Sequence, residues 1–177
     1  MGIPGSIGGV VRMNAGAHGH TISEVVDSVR MLNPDGEPLT MSNQDLRFTY
    51  RSAAIPQDAI ITEVNLKLTP DDSKKIHSRI REFNEHRTST QPLREKSAGC
   101  IFKNPGTSAA GKLIEDSGLK GAGVGGAFVS EIHGNFIVNR KEATFEEVLK
   151  LIDHIKKTVH DSQGVDLHEE VIIWRNS

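Results

Sequence analysis

The sequence predicts an α+β protein, β-rich at its start and mixing helices with short strands in its second half. Three observations carry that prediction. Short runs alternate apolar with polar residues before residue 70, apolar residues recur at helical spacing after it, and the composition changes around Asp71, Asp72 and Ser73. That change is read as a domain boundary separating 1–71 from 72–177.

Gly2, Gly5, Gly8 and Gly9 crowd the opening, and Gly16 and Gly19 follow. Glycine at this density marks backbone that turns sharply or lies against something with no side chain between. Val25–Leu32 and Glu37–Met41 are expected as strands joined by Asn33-Pro34-Asp35-Gly36, a turn sequence. Ile60–Leu68 alternates through Ile61, Val64, Leu66 and Leu68 and ends at Pro70, as a strand would. Asp71, Asp72 and Ser73 then offer caps for a helix with Ile76, Ile80 and Phe83 on one face. A second helix is expected over Ala109–Asp116, with Gly118 as its C′ glycine. Thr144 and Glu147 form a capping box for the clearest helix, striped by Val148, Leu151, Ile152, Ile155 and Val159. Val165–Trp174 is expected as a closing strand. The first part is too small and glycine-rich to be expected to fold alone.

At 177 residues with ordinary apolar and charged fractions, the chain is a globular sequence with room for one full core or two small ones. A formal charge of -2, with no dense Lys/Arg block, argues against nucleic acid as a partner. The single cysteine, Cys100, excludes an intrachain disulfide and suits a reducing cytoplasm. The sequence has no apolar run of bilayer length, and its start has neither the basic nor the apolar region of a signal peptide. A cytoplasmic location without membrane contact is the expectation.

Five segments hold residue types with chemical use. GIPGSIGGVVRMNAGAHG offers N–H groups on Cβ-free backbone, able to approach a pyrophosphate or a polar ring edge; the plainer alternative is a tight structural turn. FTYRSA presents Tyr50 and Arg51, and a guanidinium fork matches a carboxylate, although most arginines simply lie on the surface. SAGCIFKNP contains Cys100, Lys103 and Asn104. A thiol ionises near pH ~8.5 and can donate a proton, whereas many lone cysteines are only buried. LIEDSGLKGAGVGGAFVSEIHGNFIVN, with Ser130, Glu131, His133, Asn135, Phe136 and Asn139, reads chiefly as fold. The histidines are scattered without metal-ligand spacing, so no metal is expected. GVDLHEEVIIW sets Glu169 beside Glu170, and in an extended run only one of the two faces inward.

In this order and spacing, over nearly the whole chain, the segments resemble the UDP-N-acetylenolpyruvoylglucosamine reductase (MurB) family. The resemblance implies the remainder of a β-rich FAD-binding domain followed by an α+β substrate-binding domain. It implies flavin contacts at Gly2, Ile3, Pro4, Gly5, Ser6, Gly8, Gly9, Asn14 and Gly16, and substrate contacts at Tyr50, Arg51, Lys103 and Asn104. The implied catalytic residues are Arg51, Glu170 and Cys100, the last standing where family members usually have serine. The implied reaction uses NADPH to reduce FAD and carries hydride to the enolpyruvyl methylene of a UDP-sugar, yielding UDP-N-acetylmuramate for peptidoglycan. Arg51 and Glu170 would stabilise the enolate and Cys100 would protonate it. Tyr50 is the only tyrosine, which suits the shorter family type.

The resemblance also implies a missing N-terminal segment that grips the FAD pyrophosphate, since this sequence begins at the second flavin segment. Exposed strand edges would follow, with residues 1–70 less stable than the rest and FAD held poorly by the chain alone. Two other functions stay open at this point. One is a non-catalytic remnant binding a UDP-sugar or a partner protein; the other is a flavoenzyme with a different substrate.

Overall fold

The computed structural model describes residues 3, 5–106 and 108–174. Gly2 and Pro4 of the expected flavin segment lie outside the described residues. The chain divides into two compact units, Met1–Asn84 and Glu85–Ser177.

The first unit is built on a three-stranded antiparallel sheet. Its central strand β3 (Val26–Leu32) lies between β4 (Pro38–Ser42) and β5 (Ile60–Leu66). The β3–β4 hairpin forms where the turn sequence predicts it. Glu37 N–H donates to Asn33 Oδ1 at 2.8 Å, and Gly36 adopts φ +83°, a left-handed angle that costs glycine little. Val26, Val29 and Met31 of β3 are buried although their spacing is not strictly two. A register shift between Val26 and Ser28 resets the alternation and lets all three join one core with Val11, Leu46, Ile55 and Ala59.

Before the sheet come α1 (Ile7–Arg12) and a small hairpin of β1 (Gly16–Ala17) with β2 (His20–Thr21). Strand β5 stops short of Leu68, which is 69% exposed. Helix α2 (Ser73–Thr90) starts as expected, with Asp72 Oδ1 accepting Lys75 N–H at 3.1 Å. Its apolar stripe is only partly covered. Ile76 is exposed, Ile80 and Phe83 are half-buried, and Phe83 stacks on His18 with ring centroids 4.2 Å apart.

The second unit is a four-stranded antiparallel sheet in the order β6 (Lys96–Cys100), β9 (Phe136–Asn139), β8 (Ala127–Val129), β7 (Gly123–Val124). It shares a core with α3 (Ala110–Asp116) and α4 (Phe145–Gln163). Leu151, Ile152, Ile155 and Val159 of α4 are buried with Ile114 and Val129, so the predicted stripe is the face that packs. The capping box is present at Thr144 and Glu147, and Gly164 ends the helix at φ +66°. Ser117 is the C-cap of α3, and Gly118 follows at φ +71°.

One expected element is corrected. Val165–Trp174 is not a strand: it makes a single bridge, Glu169 with Phe102. Lys103 N–H donates to His168 O at 2.8 Å and Glu170 N–H to Ile101 O at 2.7 Å. The neighbouring strand β6 ends at Cys100, so the pairing does not extend. Beyond it Ile172 and Trp174 are 77% and 85% exposed.

Candidate active site

In the first unit the flavin-type segment wraps the start of α1. Ser6 caps it, its Oγ accepting Gly9 N–H at 3.2 Å. Ile3, Gly5 and Gly9 are exposed, and Gly8 lies against Ile61. Gly5 holds φ +129° and would have open space around a Cβ. Exposed, side-chain-free backbone at Gly5 is compatible with a flat or anionic group coming against main chain. Gly16 has a structural duty, because a Cβ there would sit 2.6 Å from His20 O inside the β1–β2 hairpin.

Asn14 is buried with φ +40° at the end of α1. Its Nδ2 donates to Thr49 O at 2.9 Å and its Oδ1 accepts Ser23 N–H at 3.3 Å. Thr49 and Ser52 exchange backbone bonds of 3.0 and 3.3 Å around a two-residue turn formed by Tyr50 and Arg51. Arg51 takes φ +56°, unusual for a branched-free but bulky residue, and its guanidinium lies 5.1 Å from the centre of the Tyr50 ring. The expected flavin residue Asn14 therefore anchors the loop of the expected substrate residues. Sequence spacing gives no hint of that link.

In the second unit the segment after β6 runs between two others. Cys100, half-buried, pairs with Phe136 of β9, and Gly99 before it has φ +85°. Ile101 N–H donates to Asn135 O at 2.9 Å, while Glu170 N–H and Lys103 N–H bond the segment on its other side. The structure thus brings Cys100, Lys103 and Glu170 onto adjoining backbone. Asn104 Oδ1 accepts Ala110 N–H at 3.0 Å, which fixes the start of α3.

Glu169 and Glu170 are both half-buried. Lys156 Nζ of α4 bonds Glu169 at 2.9 Å. Burial works to raise the Glu169 carboxyl, and Lys156 with the backbone outweighs it, leaving the group below the ordinary glutamate range. Glu169 is therefore held half-buried, not exposed on an edge.

The motif from Ser130 to Asn139 makes local hydrogen bonds. Ser130 Oγ accepts Ile132 N–H at 3.1 Å, and Asn139 Oδ1 accepts Ala143 N–H at 2.9 Å. His133 Nδ1 accepts Asn135 N–H at 3.1 Å, and burial pushes its imidazole down from the usual range. Beside β6 a hollow of about 260 Å³ is lined by Ser97, Ala98, Ile101, Val138 and Val148 among others.

The fold and these segments define an α+β protein whose second unit is of one recognisable kind. Residues 91–174 match the UDP-N-acetylenolpyruvoylglucosamine reductase C-terminal domain. The chain is 44% identical over 174 residues to the UDP-N-acetylenolpyruvoylglucosamine reductase of Bacillus velezensis, covering 97% of this chain and 57% of that one. It is 46% identical over 173 residues to the enzyme of that name from Clostridium tetani, covering 97% and 56%. The crystal structure of UDP-N-acetylenolpyruvylglucosamine reductase (MurB) from Thermus caldophilus superposes with a TM-score of 0.87 at 38% identity, covering 99% of this chain and 62% of that one. The chain belongs to the MurB family, and it spans little more than half the length of the curated relatives it matches.

Proposed function

We propose that this chain serves the NADPH- and FAD-dependent reduction of UDP-N-acetylglucosamine enolpyruvate to UDP-N-acetylmuramate, a cytoplasmic step of peptidoglycan precursor synthesis. One observation carries the proposal: in a chain similar to these reductases along 97% of its length, the backbone of Glu170 is hydrogen-bonded to the segment that carries Cys100 and Lys103. Residues 1–71 act as part of the flavin-binding domain and 72–177 as the substrate-binding domain.

The exposed residues Ile3, Gly5, Ser6 and Gly9, together with half-buried Gly8 and with Asn14 and Gly16, would hold FAD. FAD, reduced by NADPH, supplies the hydride. Arg51 binds the substrate carboxylate, where its fixed fork opposes the charge that builds as the enolpyruvyl double bond is reduced. Tyr50, stacked against that guanidinium, lines the approach. The Cys100 thiol gives its proton to the carbon next to the reduced methylene, which completes the lactyl ether, and the thiolate is reprotonated from water. Glu170 orients or helps protonate the enol, while Lys103 and Asn104 bind the UDP-sugar.

An absorbance scan of the purified chain with FAD tests the reading. The expected result is weak flavin binding, seen only at saturating FAD and lost on gel filtration, with a spectrum that bleaches with NADPH and recovers on adding the enolpyruvyl UDP-sugar. UDP-sugar binding with no change in the flavin spectrum even at saturating FAD would contradict it and favour a non-catalytic binding remnant.

A further inference from the structure

The ladder between β6 and β9 slips between Ser97 and Cys100, and beyond the end of β6 a side chain takes over from backbone. Asn135, 3% exposed, bonds Phe102 through both ends of its amide. Phe102 N–H donates to Oδ1 at 2.9 Å, and Nδ2 donates to Phe102 O at 2.8 Å. The backbone O of Asn135 takes Ile101 N–H at 2.9 Å. On the opposite side Glu170 N–H donates to Ile101 O and Lys103 N–H to His168 O.

Every polar backbone group from Ile101 N to Lys103 N is therefore bonded, and Phe102 itself is 1% exposed. Such a segment has little freedom, whereas Gly99, just ahead of Cys100, is intrinsically loose. A proton donor works only when held within a fraction of an ångström of its target line. The anchor after Cys100 supplies what the glycine before it cannot.

We propose that Asn135 is a positioning residue for the proton-transfer step: its amide locks the Ile101–Phe102 backbone, so that the Cys100 thiol and the Glu170 carboxylate are presented from one rigid support. The inference rests on the reading of Cys100 as proton donor. Asn135 acts through Phe102, not by touching substrate.

Cys100 is the only cysteine, so alkylation by iodoacetamide reports on it alone. In the whole chain under native conditions, Asn135→Ala raises the labelling rate by about tenfold, because local opening no longer breaks two buried bonds. It also moves the midpoint of the labelling pH profile. Leu151→Ala, which opens a cavity in the same core from α4, lowers stability but leaves the native-state labelling midpoint in place. Should Asn135→Ala fail to fold, Asn135→Asp keeps the acceptor for Phe102 N–H, loses the donor to Phe102 O, and shifts labelling the same way by less. Equal labelling in the Asn135 and Leu151 variants, or an unchanged profile in Asn135→Asp, overturns the proposal. Turnover of Cys100→Ala is the separate arm. If that variant turns over normally the proton-donor reading fails, while labelling still decides whether the lock exists.

Discussion

Two asparagine amides hold the expected catalytic loops, and neither is on a helix or in the middle of a strand. Asn14 reaches Thr49, 35 residues away, and Asn135 reaches Phe102, 33 residues away. Both residues stand inside motifs legible in the sequence, but an amide's partner at that separation is set by the fold and leaves no spacing signal. Asn14→Ala leaves Thr49 O and Ser23 N–H without this partner in a half-buried place, so it should destabilise the first unit by about 1–3 kcal/mol. Urea denaturation followed by fluorescence or circular dichroism measures it; a change under a few tenths would contradict the anchoring role. His133 gives a pH prediction. Its folded imidazole is depressed below 6.5 by burial, so the unfolded chain binds the proton more readily. This contribution is fully present above the unfolded value and is lost as pH falls below it, with the Asn135 N–H to Nδ1 bond lost on protonation. Denaturation midpoints taken across pH 5–7, roughly the window in which imidazoles titrate, should fall on acidification, and less so in His133→Gln.

Among the elements, α4 was the most legible because cap, stripe and stop are all local. Its capping box does one thing more than sequence discloses: Glu147 also accepts Gly126 N–H at 3.2 Å, tying the helix start to the β7–β8 turn. The bonds from Thr144 and Gly126 hold this carboxyl below the glutamate range, so the stabilisation is present at neutral pH and lost as pH falls through the folded value. A Cβ at Gly125 would lie 1.8 Å from Glu147 Oε1, and Gly125 has φ +56°. Gly125→Ala should therefore lower the melting temperature of the second unit more than Thr144→Ala, whose lost cap costs about 1 kcal/mol. Calorimetry of the two variants decides the order. The closing segment departs from expectation for a related reason: GVDLHEEVIIW alternates early and is apolar late, but a strand also needs a neighbour to pair with, and β6 ends at Cys100. Alternation shows one requirement of a strand and is silent on the other.

On the scale of the molecule, the two units differ in how much they bury. Among the described residues the core of the first holds seven buried residues and that of the second fourteen, so amides of β9 and α4 should outlast those of β3 and β5 in hydrogen exchange. Longer protection in β3 and β5 would contradict that ranking. The α+β class and the β3–β4 hairpin were readable because composition and turn chemistry are local properties. The backbone contact between Glu170 and Ile101 was not, since it joins distant segments of the chain.

Cys100, proposed as the group that completes the reduction, is the residue to test first. The measurement is turnover of the enolpyruvyl UDP-sugar by flavin-loaded protein carrying Cys100→Ala, beside Cys100→Ser. The expected result is that Cys100→Ala loses product formation by several orders of magnitude, on the order of ~10²–10⁴-fold, while NADPH still bleaches its flavin and Cys100→Ser keeps turning over. Product formation at an undiminished rate in Cys100→Ala would contradict the account.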